Sequence, residues 1–81
     1  MATLYLVYGE DITLSMIGED AASLGRDLWL VDSTRTRSRL YHGIKHARGG
    51  DKALLVAPLA DDPKFKGMAP GSLAWLRGRE D

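Results

Sequence analysis

Eighty-one residues, 44% hydrophobic and 27% charged, suffice for one globular domain and are too balanced in composition for a disordered tail or a coiled coil. With no cysteine, a disulfide framework, a thiolate metal site and a cysteine nucleophile are all excluded, and no apolar run approaches the roughly 20 residues that span a bilayer. The formal net charge is zero, but it is unevenly distributed: residues 1–32 set six carboxylates against Arg26, residues 33–52 set six cations against Asp51, and residues 53–81 balance.

A chain this short buries only about 60–65% of the surface it exposes when unfolded, so its core is small and a partner or second copy, most simply a homodimer, is expected. The N-terminus lacks the basic start and small-residue cleavage site of a signal peptide, which predicts a cytoplasmic protein without a membrane partner. An acidic third followed by a basic third governs association more than it governs fold.

Thr3 to Tyr8 is an uncharged run of β-branched, aromatic and aliphatic residues ending at Gly9-Glu10-Asp11, and it reads as a strand covered on both faces. Between Ile12 and Gly25 the pattern is ambiguous. Ile12, Leu14 and Met16 alternate like a strand, whereas Asp20 to Leu24 before Gly25 fits one glycine-capped helical turn. Leu28-Trp29-Leu30-Val31 is a second strand, stopped by Asp32-Ser33, whose side chains suit turns and helix N-caps.

From Thr34 to Arg48 the period becomes helical, with Leu40, Ile44 and Ala47 on one narrow apolar stripe and Gly49-Gly50 closing the C-terminus through a left-handed backbone. Gly43 weakens that helix by about 1 kcal/mol relative to alanine. Ala53 to Ala57 is a third strand that Pro58 ends. Turn material follows at 61–63 and 68–71, and Ser72 reads as the cap of a short helix ending at Gly78 and docked by Leu73, Trp75 and Leu76. Gly-Glu-Asp occurs at 9–11 and 18–20, which reads as two turn tips.

The run from Leu28 to Thr34, the helix after it, Lys52 to Leu59 and Ala74 to Arg77 together resemble the SinR-like proteins, relatives of the CRISPR adaptation nuclease and VapD ribonuclease group, over about residues 18–77. The resemblance implies a ferredoxin-like α+β fold and dimerisation. Two departures stand at the N-terminus. That family places a full helix between its first two strands, where this chain has only about a dozen residues, so the helix is shortened or replaced by a hairpin. Nuclease members carry an aspartate just after the first strand, where this chain reads Gly9-Glu10-Asp11, an offset that argues against metal-dependent cleavage.

The cations of the central helix are the main functional signal. Arg35, Arg39, His42 and His46 follow one face, while Arg37, Tyr41, Lys45 and Arg48 follow the other flank of the apolar seam. Arginine clamps phosphate or carboxylate with paired hydrogen bonds, and Tyr41 offers a stacking surface. Arg35, Arg37, Arg39, Lys45 and Arg48 are therefore the candidate phosphate contacts, against the alternative of a solvated face paired with the acids of residues 1–32. His42 and His46 have a spacing used by zinc ligands but lack a third ligand and the metalloprotease glutamate, so they read as surface histidines. Glu10, Asp11, Glu19 and Asp20 suit magnesium only if their two turns converge.

Gly49-Gly50 follows a helix instead of preceding one, so it is a cap and not a phosphate loop. Ser33, Ser38 and Ser72 lack a nucleophile elbow, and Trp29 and Trp75 read as core or dimer-seam residues. The sequence thus predicts a small, abbreviated ferredoxin-like α+β sandwich, one main helix on three or four strands plus a short C-terminal helix, with no cofactor and no metal. Its function reads as a non-enzymatic module whose partner is nucleic acid or an acidic protein surface. A protein-binding inhibitor or adaptor, such as a phage or mobile-element product, is the alternative, and the resemblance adds a metal-dependent ribonuclease as a third.

Overall fold

The uncharged N-terminal run forms β1 (Thr3–Gly9), and in the computed structural model, which describes residues 2–79, it lies at the middle of a four-stranded sheet. β3 (Leu28–Ser33) pairs with one side of β1 and β4 (Leu54–Pro58) with the other, while β2 (Ala21–Gly25) adds to β3, giving the order β2-β3-β1-β4 with every pair antiparallel. Helix α1 (Leu14–Ile17) connects β1 to β2, α2 (Arg37–Arg48) connects β3 to β4, and α3 (Ser72–Gly78) ends the described chain. This is the ferredoxin-like sandwich expected from the sequence, with its first helix cut to a single turn. Among the described residues no helix is long and apolar enough to cross a membrane. Glu80 and Asp81, which balance the charge of the C-terminal third, lie outside the described residues.

Both faces of β1 are apolar because both are covered. With a side-chain period of two, Tyr5 and Val7 join Val31, Ile12, Ile17, Leu40 and Ile44 under the helices. Leu4 points the other way, with Leu24, Leu30 and Leu76, toward the chain that follows β4. There Leu59, Phe65 and Trp75 pack onto the sheet, Ala69 N–H donates to the Leu24 carbonyl, and Arg79 pairs with Asp32 and Asp62. A third layer thus covers part of the face opposite α2. Trp29 and Trp75, both half-buried, rim the two core clusters.

Residues 12–25 invert both readings of the sequence: the alternating segment contains the helical turn α1, and the segment read as a capped turn is strand β2. Tertiary pairing overrides local pattern here. Ala21 to Ser23 and Gly25 find register on β3, and the two-residue connection Arg26-Asp27 sets Asp27 at φ 62°, a left-handed conformation that aspartate tolerates.

Element ends also differ from the expectation. β3 absorbs Asp32 and Ser33, so α2 starts at Arg37, capped by Thr36, whose hydroxyl accepts from Arg39 N–H at 3.2 Å. Gly49 ends α2 at φ 92° and ψ 157°, a region open to glycine but different from the left-handed helical turn expected. Ser72 is not a cap: it is buried inside α3 and donates to the Ala69 carbonyl at 2.7 Å, and Gly71 holds the cap position.

Candidate functional site

Leu40 and Ile44, both fully buried, fix the rotation of α2 on the sheet. Once that stripe is turned inward, the spacing of 3.6 residues per turn determines where every cation of the helix goes. Arg37, Arg39, His42, Lys45 and His46 are exposed, and Tyr41 is half-buried beside the seam. Arg37, Arg39 and Lys45 have no carboxylate within ion-pair reach among the described residues.

Two members of the predicted set are used differently. Arg48 is half-buried and turned back onto the end of the sheet, where its guanidinium donates to the Glu10 carbonyl and, at 3.2 Å, to the Ala53 carbonyl. It joins the end of β1 to the start of β4 and is withdrawn from the outward surface. Gly9 accommodates it, since a Cβ there would stand 3.2 Å from Arg48 Nη1. Arg35 precedes α2, remains exposed, and donates to the Met16 carbonyl at 3.1 Å, while its own carbonyl accepts from the Tyr5 hydroxyl at 2.8 Å. It ties the α2 entry to α1. Periodicity placed both arginines on the helix surface, but strand-end and helix-end carbonyls, invisible in a one-dimensional pattern, engage them.

The acidic third neutralises little of the basic third. Lys52 pairs with Asp11, and its ammonium holds the Asp11 carboxyl below the ordinary carboxylate range, first by hydrogen bonding and then by charge, with a smaller contribution from Arg48. The two Gly-Glu-Asp turns do not converge. Gly9 lies at the sheet end shared with Leu28 and Leu54, whereas Asp20 accepts from Asp32 N–H at the opposite end. The magnesium arrangement considered from sequence is thereby overturned, and no cluster of three metal-ligating groups exists among the described residues. His42 and His46 lie with ring centroids 6.4 Å apart.

The first turn of α2 contains Arg37 and Arg39 and no acid. A helix N-terminus is already electropositive through its aligned amides, so two arginines there add charge where each costs about 0.3–1 kcal/mol. Beside them a cleft of about 310 Å³ runs between α2 and β4, lined by Arg37, Ser38, Tyr41, His42 and Val56. Sequence reading named Arg37 and Tyr41 but missed Val56 and the role of Ser38, since only the packing of α2 against β4 brings strand and helix together. Compared with protein-family models, with curated proteins and with solved structures, the chain matches none.

Proposed function

We propose that this domain is a non-enzymatic nucleic-acid-binding module that contacts phosphates through Arg37, Arg39 and Lys45, with His42 and His46 in the same surface. One observation carries the reading: two arginines occupy the first turn of α2, unpaired among the described residues, where they oppose the helix dipole. A helix selected for stability alone would place carboxylates there. Their presence is accounted for by an external anion that reverses the unfavourable interaction, and a polyphosphate backbone supplies several such anions at once. Contacts of this kind position a nucleic acid without reading its sequence.

The test is binding of mixed RNA and DNA fragments as a function of salt. Three phosphate contacts give a slope of log K against log salt of about −2 to −3. Replacing Arg37, Arg39 and Lys45 by glutamine should remove both the binding and the slope while the thermal midpoint holds or rises. Wild-type protein that retains neither RNA nor DNA at low salt refutes the proposal.

A further inference from the structure

The cleft between α2 and β4 lies within the proposed binding surface, and its chemistry is not that of a phosphate site alone. Only Arg37 among its lining residues is permanently charged; the others are Ser38, Tyr41, His42 and Val56. Tyr41 and His42 stand at right angles, with an interplanar angle of 83° and centroids 5.2 Å apart. A flat ligand stacked on one ring meets the edge of the other, an arrangement favoured by the aromatic quadrupole. At about 310 Å³ the cleft is at the small end of ligand-sized sites.

The β4 side of the cleft adds hydrogen-bonding groups. Leu59 N–H donates to the Leu4 carbonyl, and register alternation from that bond turns Ala57 and Leu55 toward β1. Pro58, Val56 and Leu54 therefore present their main-chain groups to the free outer edge. Pro58 has no N–H to present, so the outward donors of β4 are those of Val56 and Leu54. One donor and one acceptor on Val56, beside an aromatic wall, match the adjacent acceptor and donor on the Watson–Crick edge of a nucleobase. That edge is available only in an unpaired base.

We infer that the α2–β4 cleft takes an unpaired nucleobase, so that the nucleic acid this domain binds is single-stranded. The base stacks on Tyr41 and bonds to the Val56 main chain. Arg37 at one end and Lys45, eight residues and about 12 Å further along the helix, hold the flanking phosphates. This rests on the reading of α2 as a phosphate-binding surface and adds the strand state to it.

The experiment uses the full chain with a short oligonucleotide carrying 2-aminopurine, as a single strand and as the blunt duplex of the same sequence. The single strand should bind at least tenfold more tightly, with its 2-aminopurine emission quenched by stacking. Tyr41→Leu should weaken single-strand binding roughly 5- to 150-fold, restore the emission and leave the salt slope unchanged, because the phosphate contacts remain. Ser38→Leu, at an exposed helix position outside the core, fills the cleft and should have the same effect if Tyr41→Leu fails to fold. Equal affinity for duplex and single strand with unquenched emission overturns the base site and leaves the phosphate surface standing. Failure of both forms to bind at low salt overturns the two together, and a stable dimer that persists in excess single strand and excludes it also overturns the base site.

Discussion

Replacing Arg48 by methionine separates the two roles that the cations of α2 have taken. Methionine retains most of the apolar stem and removes the guanidinium donors to the Glu10 and Ala53 carbonyls. A hydrogen bond from a charged donor contributes roughly 1.5–3 kcal/mol, but two factors reduce the total here. Both bonds are solvent-accessible, so water replaces part of what is lost. Arg48 Nε is also buried without a partner among the described residues, so truncation removes an existing desolvation penalty. The expected net cost is about 1–3 kcal/mol, a large share of the margin of a domain this small. Thermal unfolding followed by circular dichroism should show the midpoint falling by roughly 5–20 °C. Nucleic-acid affinity and its salt slope, measured well below the midpoint, should match the wild type. A midpoint within about 2 °C of wild type, together with a salt slope about one unit shallower, would refute the assignment of Arg48 to the sheet and return it to the binding surface.

The same end of the sheet makes Gly9→Ala destabilising by about 1–3 kcal/mol: its Cβ would meet the Ala53 carbonyl and Ile12 Cδ1 at 3.1 Å, and a urea midpoint equal to wild type would show that the strands yield freely. Arg79→Met leaves the Asp32 carboxylate, only 13% exposed, without its cation. Discounted for the partly exposed partner, the loss is about 1–3 kcal/mol, and limited proteolysis should cut residues 59–71 faster than in wild type, an effect that adding Asp32→Asn relieves in part. Because Lys52 depresses the Asp11 pKa, Asp11 contributes stability that is present above the ordinary carboxylate range and lost as pH falls through its lowered folded-state value. Asp11→Asn should therefore flatten the acid limb of a midpoint-against-pH curve, and two superimposable acid limbs would show that the pair contributes nothing.

The elements that the sequence made legible are those in which local pattern and tertiary environment agree. β1, β3, β4 and α2 each have a periodicity that their final packing uses, and Leu40 and Ile44 were identifiable as the buried seam from their spacing, although Ala47, read onto the same stripe, is exposed. Residues 12–25 were not legible because the segment is weakly patterned, and only pairing with β3 makes Ala21–Gly25 a strand. The third layer was hidden for a related reason: Leu59, Phe65 and Leu76 meet Leu4, Leu24 and Leu30, which are far from them in sequence, only on the second face of the sheet. Within the candidate site, side-chain type and helix face were readable, whereas proximity to another element was not. Val56 entered through packing alone, Arg48 left the outward surface, and Arg35, though still exposed, is tied down, because backbone carbonyls of distant segments engage both arginines.

The fates of the five predicted cations follow from where carbonyl groups end up. A strand end and a helix end expose carbonyls that no ladder satisfies, and a guanidinium with five donors is well suited to such oxygens. Arg48, beside the junction of β1 and β4, and Arg35, beside the end of α1, lie within reach of these acceptors. Arg37, Arg39 and Lys45 project from a helix whose interior carbonyls are already bonded, so among the described residues no backbone acceptor draws them back. The sorting is therefore topological: it takes Arg48 away from the C-terminal end of α2 and leaves Arg37 beside the cleft against β4. A bound strand should lie along that cleft and not across the C-terminal end of the helix, so crosslinks from a photoreactive oligonucleotide should map to Ser38, Tyr41 and Val56 and spare residues 48–53.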